Sequence, residues 1–307
     1  MRVGTVEIVG EHGSANGAGN GAGSVHPART RRRRRDPSRF LSPAARRLVE
    51  ERRLEPATIA GSGTGGRVTR DDVRARHAGS PNDHVLELNR VQRLTGEHML
   101  ESTRVAPHAF IAMEVDLEHV DRARRPERLS YLPFVMRAVV DAIADFPHVN
   151  ATVGDGELVV HHGVQLGIAV DLEHQGLVVP VVRDAHTKRL SALADEIADL
   201  AARARARQLA PDDVAGGTFT ITNPGPYGTA MSTPIIHQPQ VAILSTDGVK
   251  RWPVVVELDE GDEAIVIHAV GRLGLSFDHR AIDGAYASAF LARVRKVLET
   301  RLWEVEL

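Results

Sequence analysis

The chain has 307 residues, a formal net charge of −2 at pH 7 and no cysteine. That length suits about two domains, and a 42% apolar content marks a globular chain rather than a tail or a fibre. Disulfides, a cysteinyl zinc site and a cysteine nucleophile are excluded, no metal site is read from the remaining residues, and any thiol chemistry must use thiols brought by substrates. No stretch approaches the ~18 continuous apolar residues of a membrane span. The N-terminus has no apolar signal core, which reads as cytoplasmic.

Met1–Gly10 is one short strand-like piece. Glu11–Pro37 is a linker, too rich in Gly, Ala, Ser and Asn to bury a core. Its basic run, Arg29 and Arg31 to Arg35, could touch nucleic acid or a membrane surface. No aromatic or base-reading module accompanies it, so the expectation is a solvated, extended linker that steers acidic partners, with no nucleic acid or membrane partner. Residues 40–77 form a small all-α module. Ser42 caps a helix that opens on Pro43 and buries Ala45, Leu48 and Val49 on one face. Thr69 and Asp72 make a capping box for a second helix over Asp71–Arg76. The loop between them, Ile59 to Val68, is glycine-rich, but it lacks the preceding strand and following Lys-Ser/Thr of a phosphate cradle. Residues 78–84 are a polar hinge.

Residues 85–307 read as one mixed α+β domain, with too many adjacent strands for a doubly wound fold. Helices are expected over Asn89–Thr103, around Leu132, Val135, Met136, Val139, Val140 and Ile143, and from Leu190 to about Gln208. Strands are expected at His108–Val115, Glu157–His161, Val164–Val170, Leu177–Val182, Thr218–Thr222, Gln240–Thr246 and Val254–Leu258. Two further apolar runs, Ala264–Val270 and Leu273–Phe277, lead into Asp278-His279-Arg280-Ala281-Ile282-Asp283-Gly284, and a helix follows over Ala285–Leu302. His279 therefore stands where a strand gives way to a turn. Thr222 stands at the end of another strand, before Asn223-Pro224-Gly225. Taken singly, each of these residues is structurally ordinary.

The whole string D-H-R-x-x-D-G after a strand, within the last thirty residues, resembles the signature of the dihydrolipoamide acyltransferases, the core subunits of 2-oxo acid dehydrogenase complexes. Gly216-Gly217-Thr218-Phe219-Thr220-Ile221-Thr222-Asn223, Phe146-Pro147-His148-Val149-Asn150-Ala151 and Gly176-Leu177-Val178-Val179-Pro180-Val181 are similar to further strings of that family. Residues 40–77 resemble its peripheral subunit-binding domain, and Met1–Gly10 the last strand of its lipoyl domain without the lysine-bearing hairpin. Four readings of that start stay open: a truncated chain, a misplaced start, a lipoyl domain on another chain, or simply a disordered start.

The resemblance implies a chloramphenicol-acetyltransferase-like catalytic domain that passes an acyl group from dihydrolipoyl sulfur to coenzyme A, with the lipoyl group supplied by a domain outside this chain. A free thiol, with a pKa near ~8.5, is mostly protonated at neutral pH and needs a base. An imidazole, which titrates near neutrality, suits that task. His279 is thus expected to take and return the proton, and Thr222 to donate to the oxyanion. Asp283 joins them in the expected catalytic set; Arg280, Asp278 and Asn223 support it. By the same resemblance the site lies between subunits of a homotrimer, with His279 from one and Thr222 from its neighbour. Arg46 and Arg67 match positions that grip the dehydrogenase or decarboxylase component, although Glu50 replaces a third basic position. His98 stands where the family's first helix carries an arginine, which Arg90 or Arg93 would have to replace. The apolar C-terminal residues, Leu302 to Leu307, either pack on their own subunit or dock trimers into a cubic or larger core. Ala285-Tyr286-Ala287 looks more like the acetyl or branched-chain branch than the succinyl one. The rival reading is a non-catalytic scaffold that binds the decarboxylase or dehydrogenase subunit. A free acyltransferase acting on a small acceptor would fit the catalytic domain but not residues 40–77.

Overall fold

The computed structural model describes residues 41–76, 84, 86–258 and 261–307. The strand-like start and the basic linker lie outside them. The chain divides into two compact units, Met1–Leu86 and Glu87–Leu307.

In the first unit, α1 (Pro43–Glu51) and α2 (Arg70–Ala75) pack around Ala45, Val49, Ile59, Val68 and Val73. Both expected caps are present: Ser42 Oγ accepts from the Ala45 N–H at 3.1 Å, and Thr69 and Asp72 form the reciprocal box. The second helix begins one residue earlier than its apolar pattern suggests, because Thr69 itself is the cap. Burial opposes ionisation of Asp72, but hydrogen bonds from Ser62 and Thr69 outweigh it and hold the carboxyl down at about 2. The glycine-rich loop is a structural turn: a Cβ on Gly61 would stand 2.4 Å from the Gly66 carbonyl, and Gly65 and Gly66 have φ of +73° and +78°. Arg46 and Arg67 are both exposed.

The second unit is built on a seven-stranded sheet. In chain order its elements are α3 (Arg90–Val105), β1 (His108–Asp116), α4 (Glu118–Glu127), α5 (Leu132–Asp145), β2 (Ala151–Val153), β3 (Leu158–Val160), β4 (Leu166–Ile168), β5 (Val170–Asp171), β6 (Leu177–Val178), β7 (Val181–Val182), α6 (Leu190–Arg205), β8 (Phe219–Thr222), β9 (Ala242–Thr246), β10 (Lys250–Glu257), β11 (Glu263–Asp278) and α7 (Gly284–Thr300). The strand order is β1-β11-β9-β8-β4-β7, with β10 also on β11. The core gathers α5, α6 and α7 on the sheet, where Phe134, Met136, Leu193, Phe219, Phe277 and Phe290 are buried. The buried side of α5 is wider than the single face the sequence suggests: Phe134, Val135, Met136, Ala138, Val139 and Val140 are all buried, and Arg137, Asp141, Ala144 and Asp145 form the more open stripe.

Several elements differ from the sequence reading. The two runs before Asp278 are one sixteen-residue strand, β11. Its glycines give room for neighbours rather than turns: a Cβ on Gly274 would lie 2.6 Å from Ser245 Oγ and 2.8 Å from the Phe110 ring. The stretch Val164–Val170 splits at Ala169, where the pairing changes: β4 lies between β7 and β8, and β5 pairs with β6. The stretch Leu177–Val182 splits likewise, since Pro180 has no N–H to continue a ladder; β6 pairs with β5 and β7 with β4. The third of the later strands starts at Lys250, four residues before the reading from Val254. Helix α4 was not expected from the sequence: its apolar stripe is short, Leu117, Val120 and Ala123 in a charged run, and it is also held by Asp121, buried and bonded to Arg124, Arg125 and Tyr131.

Beyond the edge of β1, the outer half of β11 pairs only with β10. This hairpin leaves Val255, Ile265 and Ile267 61–77% exposed. At the C-terminus, Trp303 is fully buried against Phe134 (ring centroids 5.2 Å apart), whereas Leu302 and Val305 are exposed. Among the described residues no helix is long and apolar enough to cross a membrane.

Candidate active site

The strand end of β11 fixes His279. The Asp278 N–H donates to the Val241 carbonyl at 2.8 Å, and the His279 N–H to the Pro107 carbonyl at 3.1 Å. The backbone on both sides of the imidazole is thus tied to neighbouring chain. The side chain itself is exposed, its ring 5.8 Å from that of Phe277. Asp278 is 1% exposed and receives the Arg280 backbone N–H at 2.9 Å, Arg280 Nε at 3.0 Å and Arg280 Nη2 at 2.6 Å. This fork closes the turn within three residues and pushes the guanidinium pKa up. The Asp283 carboxylate caps α7, accepting from the Tyr286 N–H at 2.8 Å.

Arg93 Nη1 donates to the Leu88 carbonyl at 2.7 Å, and the arginine that holds Asp278 is Arg280. His98 instead meets His237 edge-on, with ring centroids 4.7 Å apart. Burial, and then the neighbouring His98, push the His237 imidazole down to about 4.

Thr222 closes β8, in register with Ser245 on β9. Asn223 Oδ1 accepts from Thr246 Oγ1 at 3.0 Å, which pins the turn that follows. Asn223 and Pro226 wall two cavities of about 320 and 450 Å3; Arg124, Tyr131 and Asp247 line the first, and Asp171, His174 and Tyr227 the second. From this turn a strap, residues 225–239, runs back across the sheet. At its far end Ser102 Oγ donates to the Ile236 carbonyl at 2.6 Å, and His108 Nε2 accepts the Ile236 N–H at 3.0 Å.

The register gives the separation of the two groups. Thr222 is level with Ser245, Ser245 pairs with Gly274, and Ala242 pairs with Phe277. His279 lies two residues past Phe277, level with Gln240. The two side chains are therefore offset by five residues, roughly 17 Å at ~3.3 Å per residue, plus two strand spacings of ~4.8 Å. One chain places them at opposite ends of the same sheet.

The family model for the 2-oxoacid dehydrogenases acyltransferase (catalytic domain) matches residues 80–305, and that for the e3 binding domain residues 39–74. The chain belongs to the 2-oxoacid dehydrogenase acyltransferase family. It is 33% identical over 304 residues to the dihydrolipoyllysine-residue acetyltransferase component of the pyruvate dehydrogenase complex of Corynebacterium glutamicum, covering 87% of this chain and 45% of that one. It is also 33% identical over 296 residues to the dihydrolipoyllysine-residue succinyltransferase component of the 2-oxoglutarate dehydrogenase complex of Pseudomonas aeruginosa, covering 85% and 71%. The chain spans about half the length of the first of these relatives. Among solved structures it resembles the dihydrolipoamide acetyltransferase of Azotobacter vinelandii, with a TM-score of 0.66 and 29% identity over 71% of this chain and 91% of that one. In that enzyme a serine, a histidine and an asparagine four residues beyond it have been studied for their role in the catalytic mechanism.

Proposed function

We propose that this chain transfers an acyl group from a dihydrolipoyl thioester to coenzyme A, in a site that two copies of the chain build together. The observation that carries the reading is the separation of the two half-sites: His279 and Thr222 are too far apart in one chain to touch a common carbonyl. A three-fold assembly brings His279 of one copy to Thr222 of the next. The apolar hairpin, with Val255, Ile265 and Ile267 exposed, is suited to lie in such an interface. The studied serine, histidine and asparagine of the Azotobacter enzyme support the same set, with Thr222, His279 and Asp283 in the corresponding roles and spacing between the last two.

In this reading His279 takes the proton from the thiol of coenzyme A, and the sulfur attacks the thioester carbonyl carbon. The new carbon–sulfur bond leaves a negative oxygen, to which the Thr222 hydroxyl donates. The bond to the dihydrolipoyl sulfur then breaks, and His279 returns the proton to that sulfur. Acid–base help of this kind is worth roughly 10²–10⁴ in rate. Asp278 and Arg280 hold the turn, and Asp283 fixes the start of α7 behind it. The exposed imidazole argues for catalysis over a purely structural scaffold, which would have no use for it.

The acyl group is acetyl or branched-chain rather than succinyl, on the Ala285-Tyr286-Ala287 string; assays of acetyl-, isobutyryl- and succinyl-dihydrolipoamide side by side decide it. The lipoyl group is supplied by a domain outside the described residues. The first unit binds dihydrolipoamide dehydrogenase or the decarboxylase component through Arg46 and Arg67, and exposed Leu302 and Val305 dock trimers into a larger core. The quaternary part is tested by dilution with light scattering: activity should fall with the trimer. A chain that remains fully active as a monomer overturns the shared site.

A further inference from the structure

We infer that Asp247 is a positioning residue for the Thr222 end of the site, acting by clamping the strap that leaves it. The inference rests on the reading of Thr222 as an oxyanion donor. Asp247 is 4% exposed, and no Lys or Arg pairs with it among the described residues. A carboxylate buried without a cation is costly unless its oxygens are fully used. Here they are used on the strap. Thr229 Oγ1 donates to Oδ1 at 3.1 Å, Ser232 Oγ to Oδ1 at 3.0 Å and the Ser232 N–H to Oδ2 at 3.2 Å. Ser245 Oγ, on the register partner of Thr222, lies 3.5 Å from Oδ2.

The backbone around Asp247 completes the clamp. A Cβ on Gly225 would stand 3.0 Å from the Asp247 carbonyl oxygen, so the Thr222–Gly225 turn rests directly on this peptide. The Gly248 N–H donates to the Thr229 carbonyl at 2.8 Å, and the preceding Thr246 bonds Asn223. Residues 246–248 therefore grip the turn at 223 and the strap at 225, 229 and 232. A donor that must meet a carbonyl oxygen only at the transition state tolerates little misplacement, since about 1 Å can cost on the order of 10²-fold in rate. The carboxylate fixes where Thr222 ends without touching substrate.

The test is a double-mutant cycle on the full chain, assayed with acetyl-dihydrolipoamide and coenzyme A. Asp247→Asn is expected to lower kcat about tenfold while leaving both KM values within about twofold, because the lost interaction belongs to the transition state. On a Thr222→Ala background the same change should have no further effect. Ser232→Ala, which removes one clamp donor and keeps the carboxylate, should give a drop of about threefold that also vanishes on that background; it serves if Asp247→Asn does not fold. An unchanged kcat in the folded single variant, or an equal fold-loss in both backgrounds, overturns the inference. If Thr222→Ala is itself fully active, the oxyanion reading fails and this inference with it; if Thr222→Ala is impaired and the effects multiply, only the role of Asp247 fails.

Discussion

The two ends of the sheet hold their functional side chains in different ways. The His279 turn is closed by a local side-chain device, an Asp278–Arg280 fork spanning three residues, on a backbone that two long-range hydrogen bonds tie to Val241 and Pro107. The Thr222 turn is held at long range, by Thr246, Asp247 and a strap that returns across the sheet to α3. A local device places a side chain that must change protonation and remain reachable. A distributed one sets a hydroxyl whose value depends on position alone.

The largest effect that tests this contrast is at the base. His279→Ala should lower kcat by roughly 10²–10⁴ while leaving the fold and assembly intact, because the imidazole is exposed and takes no part in the turn. Near-full acyl transfer by that variant would remove the base. Next, Thr222→Ala should cost on the order of 10²-fold in kcat, about 3 kcal/mol, with KM unchanged. A rise in KM alone would make the hydroxyl a binding contact instead. Arg280→Met should be smaller in rate, about tenfold, and should also lower stability by about 1–3 kcal/mol, allowing for the half-exposed guanidinium. Thermal unfolding checks it; an unaltered midpoint would mean that the backbone bonds hold the turn alone.

The smallest expected effect lies at the far end of the strap and depends on pH. His237 is held at about 4 in the folded chain, against an ordinary value near ~6.5 when unfolded. Between those values the unfolded chain takes up a proton that the folded chain refuses, so stability is complete above pH ~6.5 and is lost as pH falls toward 4. His237→Gln should flatten the fall of the melting temperature between pH 7 and 4.5. An unchanged slope would put the acid sensitivity elsewhere.

The contrast also explains what could be read from the sequence. The His279 turn was legible because its device is contiguous: Asp278, His279, Arg280 and Asp283 lie within six residues. The strand ends at 222 and 278, the caps at Ser42 and Thr69 and the buried face of α5 were legible for the same reason, each being set by neighbours in sequence. The break expected at Gly271-Arg272 is absent because Gly271 makes room for Leu117 and Val249, and a glycine that makes room looks in sequence like one that makes a turn. Helix α4 was missed because its apolar stripe is only Leu117, Val120 and Ala123 among many charges, and a buried Asp121 completes its anchoring. Asp247 carried no signal at all, since Thr229 and Ser232 reach it only after the strap has folded back.

The central claim is that neither end works without the other end of another copy. It is tested most directly by mixing two inactive variants, His279→Ala and Thr222→Ala, after unfolding and joint refolding. Random three-fold assembly should restore about a quarter of wild-type activity, because each site draws one group from each of two subunits. Activity no greater than the sum of the two variants alone, from mixed trimers verified by mass, would contradict it.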